Sequence, residues 1–539
     1  MRNTTRLLLV CCAAIIMLVT GCNNTATQTT SDSSTNVQQA TEPASTTEPI
    51  SDEPESWISD EPIEITWIYQ DNASFPYNKD WLALTEIKER TNVDIQFILV
   101  ASSDYETKKN ILVNSGDIPD VFLYSDTDKE YMLGGLILPI SDYLDKLPNF
   151  SNRISSMNLD KELENYVLDD GKYYVLPWID EVPVYSKGLA VRLDVLEENN
   201  LAAPETYEEL FNDMVIMKQN NPDTLPMTAF WGLEYVLNFM EPSWTFHWKT
   251  GNDNVYYDWD TGQYESSATS SQMQALLIYL NRCYEEGLFD PEIFTQDLDQ
   301  WTQKLVTSTS MVTFCWADQL ASINSAGQSE NPDFNFQNIV PPKADSDSPV
   351  PIQAASPITG SFCISNSIKD EPYFDNILKF IDWLFYSDEG VLLTGWGVED
   401  VSYVVADGKK DFTEALYSSP SGASKQAQIE FGLYNFNIQG FKAKDRILAS
   451  IGPVAAGITE DMIAANMFGP KSPMPTFTMD ESEEVSLLSA PIMDYVTVSA
   501  QAFVQGTMDP VDDWDAFVAE VESMHIKDIV DMYNAALTD

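Results

Sequence analysis

The chain has 539 residues, of which 44% are hydrophobic and 12% aromatic, so it has enough apolar side chains for substantial cores. This length exceeds what one simple core supports, and we therefore expect two or more lobes. The 29 basic and 84 acidic residues give a net charge of −55. Such a charge repels nucleic acid and anionic membrane surfaces, and it argues against a polyanionic substrate.

Residues 1–21 have the pattern of a secretory signal peptide. Arg2 and Arg6 precede an almost wholly apolar run, Leu7–Leu18, which is too short to span a bilayer comfortably. No other apolar run in the sequence is judged long enough to do so. The small residues that end at Gly21-Cys22 resemble the lipobox of bacterial lipoproteins. This resemblance implies cleavage before Cys22 and a lipid such as palmitate on its sulfur, whereas the alternative is an ordinary signal or anchor that contains a cysteine.

Residues 22–60 are predicted to be a disordered tether. Asn23–Ser51 consists of Ser, Thr, Asn, Gln and Ala with almost no large apolar side chain, and an acidic run with prolines follows. Such a segment buries too little surface to offset the entropy of ordering it. As a flexible coil it would reach roughly 30–35 Å on average. We therefore expect a globular body held off a membrane by a flexible leash.

The chain after the tether alternates between strand-like and helix-like segments. Strands are predicted at Ile63–Tyr69, Val93–Val100 and Val121–Tyr124, and the helices between them at Trp81–Arg90 and Lys108–Asn114. Strand–helix–strand order with short connections predicts an α/β lobe with parallel strands.

Further helices are indicated by apolar stripes and start signals. Thr206-Tyr-Glu-Glu209 has the spacing of a capping box, and Met273–Glu286 and Phe374–Phe385 carry apolar stripes at helical spacing. Asp509-Pro510 predicts another helix start, and Asp258-Trp-Asp-Thr-Gly262 predicts a turn between two short strands. Three cysteines remain after the signal and Cys22, and they are interpreted as buried free thiols: Cys283, Cys315 and Cys363.

Motifs of catalysis are largely missing from the sequence. The two histidines, His247 and His525, are far apart and neither lies in an H-E-x-x-H pattern. The sequence contains neither a Walker A loop nor a G-x-G-x-x-G loop. A Ser-His-Asp triad through His247 stays open, and so do paired carboxylates, because 84 acidic residues make chance pairs inevitable. We predict a protein that is not an enzyme and has no catalytic residues and no cofactor.

Several short motifs share their order with one family. The chain resembles the extracellular solute-binding lipoproteins of family 1, the substrate-capture components of carbohydrate ABC importers, over most of residues 62–535. The segments that carry the resemblance are Ser115–Phe122, Gly135–Asp142, Gly171–Pro177, Val191–Leu196 with Pro204–Thr206, Tyr284–Pro291, Tyr386–Gly390 and Trp396-Gly397. Each motif alone is weak, and their shared order makes the resemblance specific.

The resemblance implies a two-lobed α/β periplasmic-binding-protein fold of type II. The N-terminal lobe would comprise residues 61–180 and about 318–368, and the C-terminal lobe residues 181–317 and 369–539. Crossover strands would join the lobes, and a carbohydrate, expected to be an oligosaccharide, would bind in the cleft and close it. The partners implied are ABC permease subunits and the bacterial membrane, reached through the lipid anchor at the cell surface or in the periplasm. We expect a monomer.

Candidate ligand-binding residues follow from the rule that a cleft is lined by loops after strands. A sugar needs flat apolar faces for its C–H patches and polar groups for its hydroxyls. Trp396 is expected to expose its ring because it lies between two glycines. For each tryptophan a core role is an equal alternative. The predicted ligand-binding residues are Tyr69, Asp71, Asp126, Trp178, Trp231, Trp316 and Trp396, and Asn72 and Ser125 lie beside them.

One departure from the family concerns calcium. Some large members carry a D-x-N-x-D-G-like calcium loop after the helix that starts near Thr206. Here Gln219–Thr224 lacks the glycine and the ligand spacing, so we predict no metal at this position.

Two other functional classes stay open. A protein of the same fold could bind a peptide or a polyamine, or act as a sensor, since an acidic chain suits a cationic ligand. Acidic residues alternating with aromatic ones in the cleft would favour that interpretation, whereas Asn, Gln and Lys would favour a sugar. The other class is a surface hydrolase.

Overall fold

The computed structural model describes residues 58–125, 128–185, 187–246, 254–419, 422–473, 475 and 477–537. The predicted signal peptide, Cys22 and nearly all of the predicted tether lie outside these residues. The described residues belong to a single compact unit.

The described residues form fifteen strands, which are β1 Ile63–Asp71, β2 Val93–Ala101, β3 Val121–Leu123, β4 Val175–Asp180, β5 Lys187–Arg192, β6 Val255–Asp258, β7 Gln263–Ser266, β8 Val312–Trp316, β9 Phe336–Asn338, β10 Gln353–Ala354, β11 Ile358–Ile364, β12 Tyr403–Ala406, β13 Lys409–Phe412, β14 Phe441–Lys442 and β15 Phe468–Gly469.

The α-helices in the same part of the chain are α1 Leu82–Thr91, α2 Tyr105–Ser115, α3 Lys129–Leu133, α4 Pro148–Met157, α5 Asp160–Glu164, α6 Leu193–Glu198, α7 Tyr207–Asn220, α8 Gly232–Met240, α9 Ser271–Glu285, α10 Leu298–Val306, α11 Ala317–Gln328, α12 Phe374–Tyr386, α13 Asp388–Gly395, α14 Glu414–Tyr417, α15 Ala423–Phe431, α16 Lys444–Ala464, α17 Met479–Val504, α18 Trp514–Ser523 and α19 Ile526–Ala535.

Lobe 1 is built on a six-stranded sheet with the order β14-β4-β11-β3-β1-β2. Strands β1 and β2 are parallel in the register Ile63 to Val93, as predicted, whereas β11 is antiparallel to both β3 and β4. Trp67 lies at the centre of the core, with its ring 5.7 Å from that of Phe362. Because β11 follows the first part of lobe 2 in the chain, lobe 1 is built from segments that are far apart in sequence.

Lobe 2 has a three-stranded sheet with the order β8-β5-β9, in which β5 is antiparallel to both neighbours. Helices α7, α8, α9 and α17 bury their apolar stripes in one core. Along the chain, six residues (181–186) separate β4 of lobe 1 from β5 of lobe 2. We call this segment the crossover.

The apolar cores correct the expected lobe boundaries. Leu320, Ile323 and Phe336 pack with β5 and β8, so the segment around 317–339 belongs to lobe 2 rather than lobe 1. In contrast, α12 and β14 contribute Ile381 and Phe441 to the lobe 1 core, so residues 369–443 belong to lobe 1. Amphipathic stripes show that a helix has a buried face, but they do not show which lobe buries it.

Helix α16 leaves lobe 1 and is broken in its middle. Gly452 has φ +79° and ψ 164°, and Pro453 follows it. Arg446 is buried in the first half, whereas Ile458 in the second half packs against Tyr185 of the crossover. A glycine and a proline explain the break because glycine adopts positive φ readily and proline lacks a backbone donor.

Among the described residues, two helices are long and apolar enough to cross a membrane by length and composition, namely Lys444–Ala464 and Asp480–Val504. The expectation that no apolar segment after the signal is long enough to do so is corrected in this respect. Their length and composition are weak evidence for a membrane span, because core helices of globular proteins pass the same test. Helix α17 buries Ile492, Val496 and Phe503 in lobe 2.

Local start and stop signals mostly agree with the structure. Thr206 Oγ1 accepts a hydrogen bond of 3.0 Å from the Glu209 N–H, and the capping box is complete. The predicted turn at Asp258–Gly262 joins β6 to β7, and the three cysteines are buried free thiols. The helix start predicted at Asp509 is wrong, because Asp509 forms a turn and α18 begins at Trp514.

Candidate ligand-binding site

An aromatic cluster lies on lobe 2 where α8 meets the end of β8. Tyr235 and Phe239 share one face of α8, and Trp231, directly before the helix, packs on Tyr235 with 4.6 Å between ring centres. Trp316, the last residue of β8, joins this face, with its ring 5.0 Å from that of Trp231 and 5.5 Å from that of Tyr235. We call Trp231, Tyr235, Phe239 and Trp316 the aromatic platform.

Trp231 is held in a conformation that a bulky residue rarely adopts. Its φ is +68°, and Gly232 follows with φ +82°. Its side chain is 47% exposed although its ring packs on three other aromatic rings. A left-handed non-glycine residue costs on the order of 1–3 kcal/mol, and such strain collects at functional positions. The strain and the exposed ring together mark Trp231 as a candidate ligand contact.

Lys187 adds a cation beside the platform. It is the first residue of β5 and is paired with Trp316 of β8. Its Nζ lies 5.7 Å from the ring centres of both Trp316 and Phe239. An ammonium at this distance interacts favourably with the rings and offers hydrogen-bond donors at their edge.

Lobe 1 presents a second aromatic surface on the other side of the crossover. Trp178 of β4 is half-buried, with its ring 5.9 Å from that of Phe436, which in turn packs on Phe75 at 6.1 Å. A Cβ added at Gly360 of β11 would lie 2.2 Å from the Trp178 ring, so glycine is required there. Lys425 Nζ lies 4.2 Å from the centre of the Phe75 ring.

Two predicted site residues lie near this surface, and one of them is buried. Tyr69 is 0% exposed, and its hydroxyl accepts a hydrogen bond of 2.7 Å from Asn435 Nδ2. Burial raises the pKa of the Tyr69 hydroxyl to about 12. The prediction that Tyr69 lines the cleft is therefore corrected, because its ring is covered by its own lobe. Asp71 is half-buried, and its Oδ1 accepts a hydrogen bond from the Tyr77 N–H.

The exposed ring predicted for Trp396 is also wrong. Trp396 is 2% exposed and packs against Phe412, with 5.1 Å between ring centres. The Arg446 guanidinium lies 5.5 Å from the centre of the Trp396 ring. Gly397 has φ +88°, and a Cβ added there would lie 2.3 Å from Ser402 Oγ. The glycine is therefore required for a tight turn next to the buried Trp396, and it does not expose the Trp396 ring.

Asp126 and His247 lie outside the described residues, as does Cys22, and they stay predictions. Next to Asp126, Lys109 Nζ donates to Asp128 Oδ2 at 2.8 Å and to Ser125 Oγ at 2.7 Å. The Lys109 and Asp128 side chains are both fully buried, so this ion pair anchors the loop that follows β3. Within the described ranges, no group of three or more His, Cys, Asp or Glu side chains could hold a metal ion.

The structure thus brings Trp231 and Trp316 together, and places Trp178 at the other end of the crossover. Sequence reasoning missed Tyr235, Phe239 and Lys187. The spacing of Tyr235 and Phe239 by four residues was a usable signal, because side chains at this interval share a helical face. Lys187 gave no comparable signal, since its position depends on the pairing of β5 with β8.

The arrangement matches a known protein family. A family model described as bacterial extracellular solute-binding protein matches residues 83–394, which is more than half of the chain. The chain belongs to this family. Its members bind solutes outside the cell membrane, which agrees with a two-lobed body that presents aromatic surfaces beside a crossover.

Three curated relatives are similar at low identity. Lipoprotein LipO of Bacillus subtilis is 22% identical over 60% of this chain and 64% of its own length. The fructooligosaccharide ABC transporter substrate-binding protein FusA of Streptococcus pneumoniae is 24% identical over 44% of this chain and 46% of its own length. The polygalacturonan/rhamnogalacturonan-binding protein YtcQ of B. subtilis is 21% identical over 60% and 63%. This chain therefore matches less than two thirds of each relative.

Solved structures share the fold over nearly the whole chain. Alginate-binding protein AlgQ2 is 21% identical and has a TM-score of 0.61, with 90% of this chain and 100% of that chain covered. A human-milk-oligosaccharide (HMO)-binding, ABC-transporter-associated protein from Bifidobacterium longum infantis is 16% identical with a TM-score of 0.66, covering 89% and 99%. At these identities the similarity shows the fold alone, and it confirms the type II periplasmic-binding-protein architecture.

Proposed function

We propose that the protein is the substrate-binding component of an ABC importer that captures an oligosaccharide between its lobes and delivers it to the permease. The observation that carries this proposal is the aromatic platform, of which Trp231 is 47% exposed. Along the chain, β4, which carries Trp178, is followed directly by β5, whose first residue pairs with Trp316 of the platform. Closing the lobes about the crossover would enclose a ligand between aromatic surfaces.

The chemistry of these surfaces suits a sugar. A pyranose or furanose ring offers C–H patches that pack on aromatic faces, and its hydroxyls need donors and acceptors around the edge. Lys187 stands beside the platform, and Lys425 lies against the Phe75 ring of lobe 1. Lysines beside the aromatic rings favour a sugar over a polyamine, because an ammonium repels a cationic ligand and can donate to a sugar hydroxyl.

The names of the relatives support the same ligand class. FusA and YtcQ are named for binding fructooligosaccharide and polygalacturonan or rhamnogalacturonan, and AlgQ2 for binding alginate. LipO is named a lipoprotein. From these names and from the lipobox-like sequence at Cys22, we infer a lipid-anchored monomeric binder outside the membrane, without catalytic activity.

A thermal-shift screen of the soluble domain tests the proposal. The panel would contain neutral and acidic oligosaccharides, peptides and polyamines. A ligand at a hundred times its Kd adds about 2.7 kcal/mol to the free energy of unfolding, which gives a clear rise in Tm. We expect a rise with one class of oligosaccharide and no product after incubation. A rise only with peptides or polyamines would contradict the proposal, and released products would indicate a hydrolase.

A matched pair of variants locates the binding. Trp316 belongs to the platform, whereas Trp259 is a 53% exposed tryptophan in the turn between β6 and β7. We expect Trp316→Ala to remove most of the ligand-induced rise in Tm and Trp259→Ala to preserve it. Equal effects of the two substitutions would contradict a site at the platform.

A further inference from the structure

A small pocket lies beside Trp231 within lobe 2. Its cavity volume is about 220 Å³. The first turns of α8, the 3₁₀ segment Pro291–Phe294 and helix α17 surround it. Trp231 therefore belongs both to the aromatic platform and to this pocket.

The lining of the pocket has the mixed character of a sugar site. Trp231 and Phe294 supply aromatic walls, and Ala500 contributes to an apolar floor. Thr497 and Gln501 are one turn apart on α17, so a hydroxyl and an amide point to the same side. Glu234 of α8 adds a carboxylate. Hydroxyl, amide and carboxylate groups around an apolar floor can serve several sugar hydroxyls at once.

The size of the pocket limits its occupant. Its 220 Å³ correspond to about seven water molecules at roughly 30 Å³ each. This is less than the roughly 300–1,000 Å³ of a site that encloses a drug-sized ligand. The pocket therefore has room for about one ring-sized unit.

The strained backbone links the pocket to the platform. Trp231 at φ +68° and Gly232 at φ +82° turn the chain just before α8. This turn leaves the Trp231 ring against Trp316 while the same residue lines the pocket. If the backbone of Trp231 had a negative φ, we expect its ring to leave either Trp316 or the pocket. The strained backbone is therefore explained if both the Trp316 contact and the pocket wall are needed for binding.

We propose that this pocket is a second sugar subsite, which receives the unit next to the one that packs on the platform. The proposal rests on the proposed function, and it narrows the ligand to oligosaccharides long enough to reach both places. Trp231 then separates and contacts two neighbouring units, while Gln501 and Thr497 bind hydroxyls of the second unit.

The test measures how affinity depends on ligand length. The probes are fructooligosaccharides and oligogalacturonides of two to five units, titrated by calorimetry against wild type, Gln501→Leu and Phe294→Ala. For the series that binds wild type, affinity should rise steeply at the length that fills the pocket. Gln501→Leu should reduce this rise about three- to tenfold and leave the Kd of the shortest binder unchanged. Trp316→Ala should weaken all lengths alike.

The outcomes separate the two proposals. If wild type binds one series but Gln501→Leu and Phe294→Ala keep its length dependence, the subsite is refuted and the proposed function stands. If wild type binds neither series nor any other carbohydrate of the thermal-shift panel, both proposals fail. Gln501→Leu is the decisive variant because Gln501 is half-buried on the surface of α17 and its loss leaves the lobe 2 core intact.

Discussion

Lys187 and Trp316 face each other as a residue pair on the antiparallel strands β5 and β8, with Lys187 Nζ 5.7 Å from the centre of the Trp316 ring. Lys187 is the first residue after the crossover segment, and Trp316 is the last residue of its strand. The pair therefore places the aromatic platform on the part of lobe 2 that directly follows the crossover. A rotation of lobe 2 about the crossover would carry the platform with it as part of a rigid sheet.

Two of the four tryptophans that the sequence predicts in the cleft, Trp316 and Trp396, should behave differently on substitution. Trp316→Ala should weaken ligand binding about ten- to a hundredfold, because a packed ring desolvates one sugar face, worth about 1–3 kcal/mol. Its Tm without ligand should change little, since Trp316 is half-buried at a strand end. Trp396→Ala should instead reduce the free energy of unfolding by about 3–5 kcal/mol, because its ring lies in the core.

Calorimetric titration and denaturant unfolding of both variants check this contrast. The assignment of the platform is refuted if Trp316→Ala binds normally once folded. Normal stability of Trp396→Ala would contradict the burial of that ring.

Asp213 of α7 should make stability depend on pH. It is 8% exposed, and burial, followed by the charge of Glu209, raises the pKa of its carboxyl to about 6. The pKa of an aspartate in the unfolded chain is about 3.9. Because the folded pKa is the higher one, the stabilisation from this carboxyl is complete below about pH 3.9 and is lost as the pH rises through about 6.

Asp213→Asn should therefore raise Tm relative to wild type more at pH 7.5 than at pH 4. Thermal unfolding at both pH values measures this difference, with Asp223→Asn, an exposed aspartate after α7, as the control. A gain that is equal at both pH values, or larger at pH 4, would show that the Asp213 charge is not destabilising.

Ligand affinity should not depend on calcium. Lys218, in the last turn of α7 beside the predicted calcium-free segment Gln219–Thr224, donates hydrogen bonds from Nζ of 2.6 Å to the Gly287 carbonyl and 3.3 Å to the Thr224 carbonyl. This ammonium links α7 to Gly287, which follows α9. It binds two carbonyl oxygens that could otherwise bind a cation. Replacing it should leave these carbonyls without a charged donor and cost about 1.5–3 kcal/mol.

Two measurements check this prediction. Titrations in chelator and in excess calcium should give the same Kd, and loss of binding in chelator that calcium restores would contradict it. Lys218→Met should lower Tm, whereas Lys129→Met, at an exposed lysine of α3, should not.

Cys22 should carry the membrane anchor, as the sequence Val19-Thr20-Gly21-Cys22 indicates. Cys22→Ala should release the protein from cells or leave its signal uncleaved, because the lipid is attached through this one thiol. Cell fractionation with mass spectrometry of the N-terminus measures both outcomes. A variant that is processed normally and stays on the membrane would refute the anchor.

Much of the local structure could be predicted because its causes are close together in sequence. The Thr206–Glu209 capping box needs groups three residues apart, and α2 ends at Gly116, which has φ +84°. The parallel order of β1 and β2 follows from one short helix between them. The order of motifs was likewise sufficient to identify the family, because it requires no knowledge of which side chains meet.

The exposure of single rings was decided by the tertiary structure. Tyr69 ends the predicted strand Ile63–Tyr69 and is expected to face the ligand, but in the structure Asn435, 366 residues later, donates a hydrogen bond to its buried hydroxyl. Trp316 and Trp396 are both predicted from the sequence to contact the ligand. Trp316 lies where β8 ends beside α8 and packs on Trp231, whereas the ring of Trp396 is enclosed by Arg446 and Phe412. Tertiary packing likewise places α12 and β14 in lobe 1, because they bury Ile381 and Phe441 in its core. Periodicity shows that a side chain has a buried face, whereas the segment that covers it comes from a distant part of the chain.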